Sequence, residues 1–289
     1  MALRLRFDPH CSEAASAHDR RGAGEPGDAH DRRCMSRRPA EAGYGREEEG
    51  RLEEQLEARS DRADGPVNNG LVTADTLWQD PEVQTYIHKS DEYLAAIGYT
   101  EHGPRHVRLV SNIARNVMSH LGFPQRDAEL AAIAGLMHDI GNLVARHDHG
   151  QTSAVLSYPI LRRHGMPPEE IAPVLAAMGN HEEETGSPVN NIAAALILAD
   201  KSDAHRSRVR NTELAKFDIH DRVNYAVTRS FVRVEVEKRV IALELSIDTK
   251  VAPVMEYFEI FMTRMVMCRR AATFLGCEFE LLFNDVRLL

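Results

Sequence analysis

The feature that most constrains this chain is a set of histidines and aspartates, His106, His138-Asp139, His149, His181 and Asp200, placed in segments that otherwise read as one helical core. Charged or polar groups carried into a core are costly unless they share a polar centre. The His-Asp dipeptide alone carries little information, because it recurs at His18-Asp19, His30-Asp31, His147-Asp148 and His220-Asp221. Only His138-Asp139 ends an amphipathic helix. There Ala128, Ala131, Ala132, Leu136 and Met137 lie on or near the apolar face, and Ile140-Gly141 follows at once as a stop.

Imidazole and carboxylate donors together suit manganese, iron, cobalt or zinc better than calcium, which prefers oxygen cages. Six such ligands are too many for one open site and enough for two divalent cations. Asp139 is the natural bridge, since its two oxygens can each face a different ion. Two ions about 3.5–4 Å apart hold water between them and lower its pKa from about 15.7 towards neutrality, which provides a hydroxide for attack at phosphorus. That assigns Asp139 a catalytic as well as a ligand role.

The helical signals run from Thr73 to about Tyr225. Asp80-Pro81 is an N-cap and first-turn proline opening a helix that stops at Gly98. The next runs from near Pro104 to Leu121-Gly122 and carries His106 in its first turns. A third, about Arg126 to His138, delivers the His-Asp pair. His149 begins a fourth, which Pro159 is expected to kink or split. Pro167-Pro168 starts a fifth ending near His181, and Asn190 to Ser202 forms a sixth with Asp200 near its end. Beyond Arg229 the period changes to alternation, with Val232, Val234 and Val236 and then Ile241, Leu243, Leu245 and Ile247 facing inward, a hairpin turning near Glu237-Lys238. A helix from Ala252 to Leu275, with its Met255, Met262, Met265 and Met267 in the core, and a strand from Cys277 to Phe283 complete a β-β-α-β appendage. The expected fold is mainly α: a helical bundle at 71–228, a small α+β subdomain at 229–289, and a charged N-terminal tail at 1–70.

That tail has no Ile, Trp or Lys, and its 12 arginines stand against 15 acids. It has little to bury and reads as disordered, with a short helix around Glu47 to Arg59. A start of translation near Val67 or Leu71 would make it an extension, which a native N-terminal peptide from before residue 60 would exclude. With a net charge of -9 the chain is a poor broad binder of nucleic acid or anionic membrane. No apolar run approaches a membrane span, so the cytoplasm is the expected compartment. Cys11, Cys34, Cys268 and Cys277 show no CxxC spacing and read as reduced thiols.

From Tyr99 to Arg210 the sequence resembles the HD superfamily of metal-dependent phosphohydrolases, whose two-metal branch has the order H…HD…H…H…D. The residues carrying the likeness are His106 in RHVRLVSNIA, His138-Asp139 in LMHDIGN, His149 in HGQTSA, His181 in NHEEETG and Asp200 in ALILADKSD. The spacing of His149 and His181 is similar to that of bacterial diadenosine-tetraphosphate hydrolases. HD-GYP phosphodiesterases and the ribonuclease Y catalytic domain are more distant. Asn142 stands where the HD-GYP enzymes have lysine after Gly, and no GYP segment follows His181, which argues against a cyclic dinucleotide. The resemblance implies His106, His138, Asp139, His149, His181 and Asp200 as metal ligands. His102, His147 and Asp203 stay as competitors for His106, His149 and Asp200. His102 is also a candidate general acid or supporting group.

Lys201, Arg206, Arg208 and Arg210 follow Asp200 closely, and with Asn142 they are candidate anchors for a small phosphorylated substrate. Glu182, Glu183 and Glu184 read as surface charge. The expected activity is hydrolysis of a nucleotide or similar phosphate ester. The same six ligands also occur in mixed-valent di-iron oxygenases, and a metal-stapled sensor module is a third reading. The α+β subdomain offers a surface for self-association.

Overall fold

The structure, a computed structural model, describes residues 70–210 and 218–288. The charged tail to residue 69, with its expected helix at Glu47 to Arg59, lies outside the described residues. Helix α1 spans Ala74–Trp78, α2 Pro81–Ala96, α3 Pro104–His120 and α4 Gln125–Met137. A single 3-10 turn at Ile140–Leu143 leads towards α5, His149–Arg163, then α6, Pro168–Gly179, and α7, Asn191–Lys201. The start and stop signals act as local chemistry dictates. Asp80 accepts the Glu82 amide at 2.8 Å beside Pro81, and Asn190 accepts the Ala193 amide at 2.7 Å. Gly98 and Gly122 end α2 and α3 at φ of +87° and +80°.

Helices α4 and α7 form the centre. Every residue from Leu130 to Met137 and from Ile192 to Lys201 is buried, as expected of helices that are apolar all round. They pack on one another, and α3 lies against both. Three helices that must touch to bury their apolar faces therefore bring His106, His138-Asp139 and Asp200 to one place. Helix α5 packs on α6 and on the 3-10 turn, which adds His149 and His181 from the opposite side.

Pro159 does not split α5; the helix is continuous through it. Val155, Tyr158 and Pro159 lie on its exposed side, where water can satisfy the carbonyl that a proline leaves without a donor. The turn after Asp139 has a tighter requirement. A Cβ on Gly141 would lie 2.1 Å from the His149 carbonyl oxygen and 2.5 Å from the Ser153 amide, both backbone atoms that cannot move aside. Gly141→Ala is expected to destabilise the protein by about 3 kcal/mol or more in denaturant unfolding, whereas Gly122→Ala, with open space around its Cβ, is limited to strain of about 1 kcal/mol.

After α7 come α8, Ile219–Ala226, strands β1, Val227–Glu235, and β2, Val240–Ile247, helix α9, Val254–Phe274, and strands β3, Glu278–Phe283, and β4, Val286–Arg287. The sheet order is β1-β2-β3-β4; β2 and β3 run parallel through the α9 crossover, and the other pairs are antiparallel. The expected β-β-α-β order is present, with α8 and β4 in addition. Val236 is 40% exposed in the hairpin turn instead of inward. Met265 and Met267 are core residues, but Met255 and Met262 are 66% and 51% exposed, because a 21-residue helix covered on one side must turn part of its surface to water. Helix α9 packs on α7 as well as on the sheet, and one apolar cluster runs through both parts. No helix among the described residues is long and apolar enough to cross a membrane.

Candidate metal centre

The six expected ligands converge, each at most 9% exposed. Asp139 sits between two groups of donors. Its Oδ2 is 3.5 Å from His106 Nε2 and 3.3 Å from His138 Nε2, and Asp200 Oδ1 is 3.4 Å from the same His106 nitrogen. Its Oδ1 is 3.2 Å from His149 Nε2 and 4.0 Å from His181 Nε2. The cluster thus contains overlapping triads able to hold a metal ion, two of which share Asp139 through different oxygens.

The far side of each ring is fixed. His138 Nδ1 donates to the Gly135 carbonyl at 2.9 Å, His181 Nδ1 to Met178 at 2.6 Å and His149 Nδ1 to Arg146 at 3.1 Å. A carbonyl can only accept, so Nδ1 carries a proton and Nε2 is the nitrogen that faces inward and can ligate a metal once it is unprotonated. His106 Nδ1 meets Asp203 Oδ2 at 2.7 Å, and His149 Nδ1 also lies 2.9 Å from Glu182 Oε1. Such outer partners orient imidazole ligands and raise their basicity. The inward nitrogens of His106 and His138 are 3.3 Å apart, and those of His149 and His181 are 3.1 Å apart. Lone pairs this close repel unless a proton or a metal cation lies between them, so the residues present fit divalent ions.

The protonation of the metal-free cluster follows from its acids. Burial pulls His106 towards neutrality, but hydrogen bonds to Asp139, Asp200 and Asp203 outweigh it and lift the ring to about 10. Against the same burial, Asp139 and Asp200 lift His138 to about 9. Burial alone would raise Asp139 and Asp200; the His138 charge and the Lys201 charge, respectively, hold them well below the usual carboxylate range. Both histidine values exceed the ordinary 6.5, so this stabilisation of the metal-free fold is complete below about pH 6.5 and is lost as pH rises through 9 and 10. At pH 7 an incoming cation must displace these protons. Loading is expected to release about one to two protons per chain, read by titration calorimetry in buffers of different ionisation enthalpy. Metal uptake with no proton release would contradict this description.

The competitors separate by position. His147 is exposed and paired with Asp148, while His149 is in the cluster. Asp203 lies behind His106, where it also binds Arg105 at 2.8 Å; its partner is His106 and not His205. His102 is buried, edge-on to His106 with ring centroids 5.4 Å apart, and its Nδ1 donates to the Thr100 carbonyl at 2.7 Å. Burial keeps its ring well below the ordinary histidine value. Asn142 donates to Asp139 Oδ1 at 3.0 Å and to its carbonyl at 2.9 Å, and so steadies the shared carboxylate.

His149 and His102 border a cavity of about 770 Å³. Among the described residues its wall includes Lys201 and Arg208 but neither Arg206 nor Arg210. Lys201 Nζ is 2.7 Å from Asp200. Arg206 lies over the Tyr225 ring at 5.2 Å, and Arg210 is bound to Asp91 and the Tyr99 carbonyl. Glu182 and Glu183 are not surface charge. Burial raises Glu182, but the His149 and Gly150 hydrogen bonds outweigh it and bring it to about 2, and Glu183 bridges Lys201 and Arg264. Arg146 and Arg264, absent from the sequence expectations, also line the cavity. Arg146 sits three residues before His149, a spacing that could have drawn attention; nothing local marks Arg264, which arrives on α9 from far along the chain.

Residues 105–205, the stretch that supplies every one of these ligands, match the family model of the HD domain. This segment is an HD domain. Its histidine and aspartate groups are able to hold metal. The chain is also similar to Ribonuclease Y of Aquifex aeolicus (strain VF5), 32% identical over 120 residues. That alignment covers 41% of this chain and 20% of the relative, so the chain spans about a fifth of that protein's length.

Proposed function

We propose that the HD domain of this chain holds two divalent cations, drawn from manganese, iron, cobalt or zinc, and hydrolyses a nucleotide or another small phosphate ester. The observation that carries this reading is the shared carboxylate: Asp139 offers one oxygen to the His106 and His138 side and the other to the His149 and His181 side. When bound, the ions would lower the pKa of water towards neutrality and offset charge on the phosphoryl oxygens. Asp139 and Asp200 remain ionised acceptors through the pH range of interest. Asn142 fixes the orientation of Asp139, and Asp203 that of His106. Lys201, Arg208 and Arg146 stand on a cavity wall that also carries Asp148, Glu182, Glu183, Glu184, Asp218 and Asp221, and they are the proposed partners of a phosphate there. His102, with its Nδ1 proton given to Thr100, presents Nε2 as an acceptor, and must take a proton there before it can give one to a leaving oxygen.

The test is anaerobic assay of manganese-loaded protein against bis(p-nitrophenyl) phosphate and a nucleotide panel. Ester cleavage without oxygen supports the proposal. A strict requirement for iron and oxygen would show an oxygenase, and metal that raises the melting temperature while every ester stays intact would show a stapled binding module.

A further inference from the structure

We infer that the Tyr99 side of the cavity is a base-stacking subsite, and that the substrate is a nucleoside phosphate instead of a simple sugar phosphate. The inference rests on the phosphohydrolase reading and narrows its substrate class. Most of the cavity wall is charged or polar, but Ile97 and Tyr99 stand out on it, 63% and 41% exposed. Apolar surface left open on a concave wall beside convergent charges is the usual make-up of a ligand pocket.

Arg146 ties this surface to the metal centre. Its guanidinium lies over the Tyr99 ring, 5.3 Å from the centroid, while Nη1 is 3.4 Å from His149 Nε2 and 3.3 Å from Asn142 Oδ1. One guanidinium therefore separates an aromatic ring from the ligand cluster. A nucleotide presents its base and phosphate on that scale, with a ribose between them. A guanidinium beside a cation-binding nitrogen repels the cation unless an anion lies between, which favours phosphate there. Base faces stack on aromatic rings and on guanidinium planes alike, so Tyr99 and Arg146 offer both surfaces.

The platform is already built. The Tyr99 amide donates to the Leu94 carbonyl at 2.9 Å, Arg210 Nε donates to the Tyr99 carbonyl at 3.0 Å, and His102 Nδ1 donates to Thr100. This gives Arg210 a role in shaping the subsite from behind. A fixed platform loses little freedom when it binds. Because these bonds are to backbone, changes to the Tyr99 ring leave them in place.

The experiment is equilibrium dialysis of the full chain without manganese, so that no ester is turned over, against AMP and against ribose 5-phosphate. AMP is expected to bind about tenfold more tightly than ribose 5-phosphate in the unsubstituted protein. Tyr99→Ala is expected to bring the two to near equality, and Tyr99→Phe and Tyr99→Trp to keep the preference. Equal binding, no detectable AMP binding, or a preference that survives Tyr99→Ala overturns the inference. Dialysis reads binding without turnover, so a protein that cleaves base-free esters yet shows no AMP preference refutes the subsite alone. A preference in a protein that cleaves no ester refutes the hydrolase reading alone.

Discussion

Asp139→Ala protein is expected to lose phosphate-ester turnover by on the order of 10³-fold and to retain less metal than the unsubstituted chain. The size follows from the two faces of one carboxylate. Removing Asp139 takes an oxygen from beside His106 and His138 and another from beside His149 at the same time, so neither half keeps its donor set. It also leaves the Asn142 side chain with only the backbone oxygen of residue 139 among its two acceptors there. Asp139→Asn keeps the shape and one acceptor oxygen, but not the charge or the second oxygen, and is expected to fall nearly as far. Turnover and metal content are read on the same preparation, because full metal content with lost turnover would assign Asp139 to chemistry alone. Undiminished turnover would remove it from both roles.

Asp203→Ala is expected to have the largest effect on stability, with a loss of about 3–5 kcal/mol. Asp203 is 2% exposed and receives His106 Nδ1 at 2.7 Å and Arg105 Nη2 at 2.8 Å, with Arg208 Nε at 3.7 Å. Burial raises its carboxyl, but the Arg208 charge and the His106 hydrogen bond outweigh it and keep the group far below the usual range. Without it, the buried Arg208 loses its nearest carboxylate and His106 loses the acceptor at Nδ1, although Asp139 and Asp200 still face its Nε2. His106 would also lose its orientation, so metal affinity is expected to fall about 10–100-fold. Asp203→Asn keeps one acceptor and should lie between. Urea unfolding and competitive metal titration measure the two effects. A stability change under about 1 kcal/mol with unchanged metal affinity would contradict this role.

The helices and the convergence of the six expected side chains were legible in the sequence because their signals are local. Asp80-Pro81, Asn190, Gly98 and Gly122 act within one turn of themselves, and apolar periodicity places His106, His138 and Asp200 on segments that must bury their faces together. What could not be read depends on contacts across the chain. Glu182 and Glu183 look like solvated acids until α5 and α9 supply His149 and Arg264. Among the basic residues after Asp200, sequence gives no means of telling that Arg208 turns inward while Arg206 covers Tyr225. Pro159 was misleading for a different reason, since the cost of a proline in a helix depends on which side of the helix faces water. The Tyr99 and Arg146 pair joins a loop after α2 to a loop before α5, and no spacing rule connects them.

The proposed chemistry depends on one carboxylate standing between two cations. Anomalous diffraction from manganese-loaded crystals tests it most directly. Two peaks about 3.5–4 Å apart, one on each side of the Asp139 carboxylate, are the predicted result. No peak within coordination distance of Asp139, or a single peak at full occupancy in saturating manganese, would contradict it.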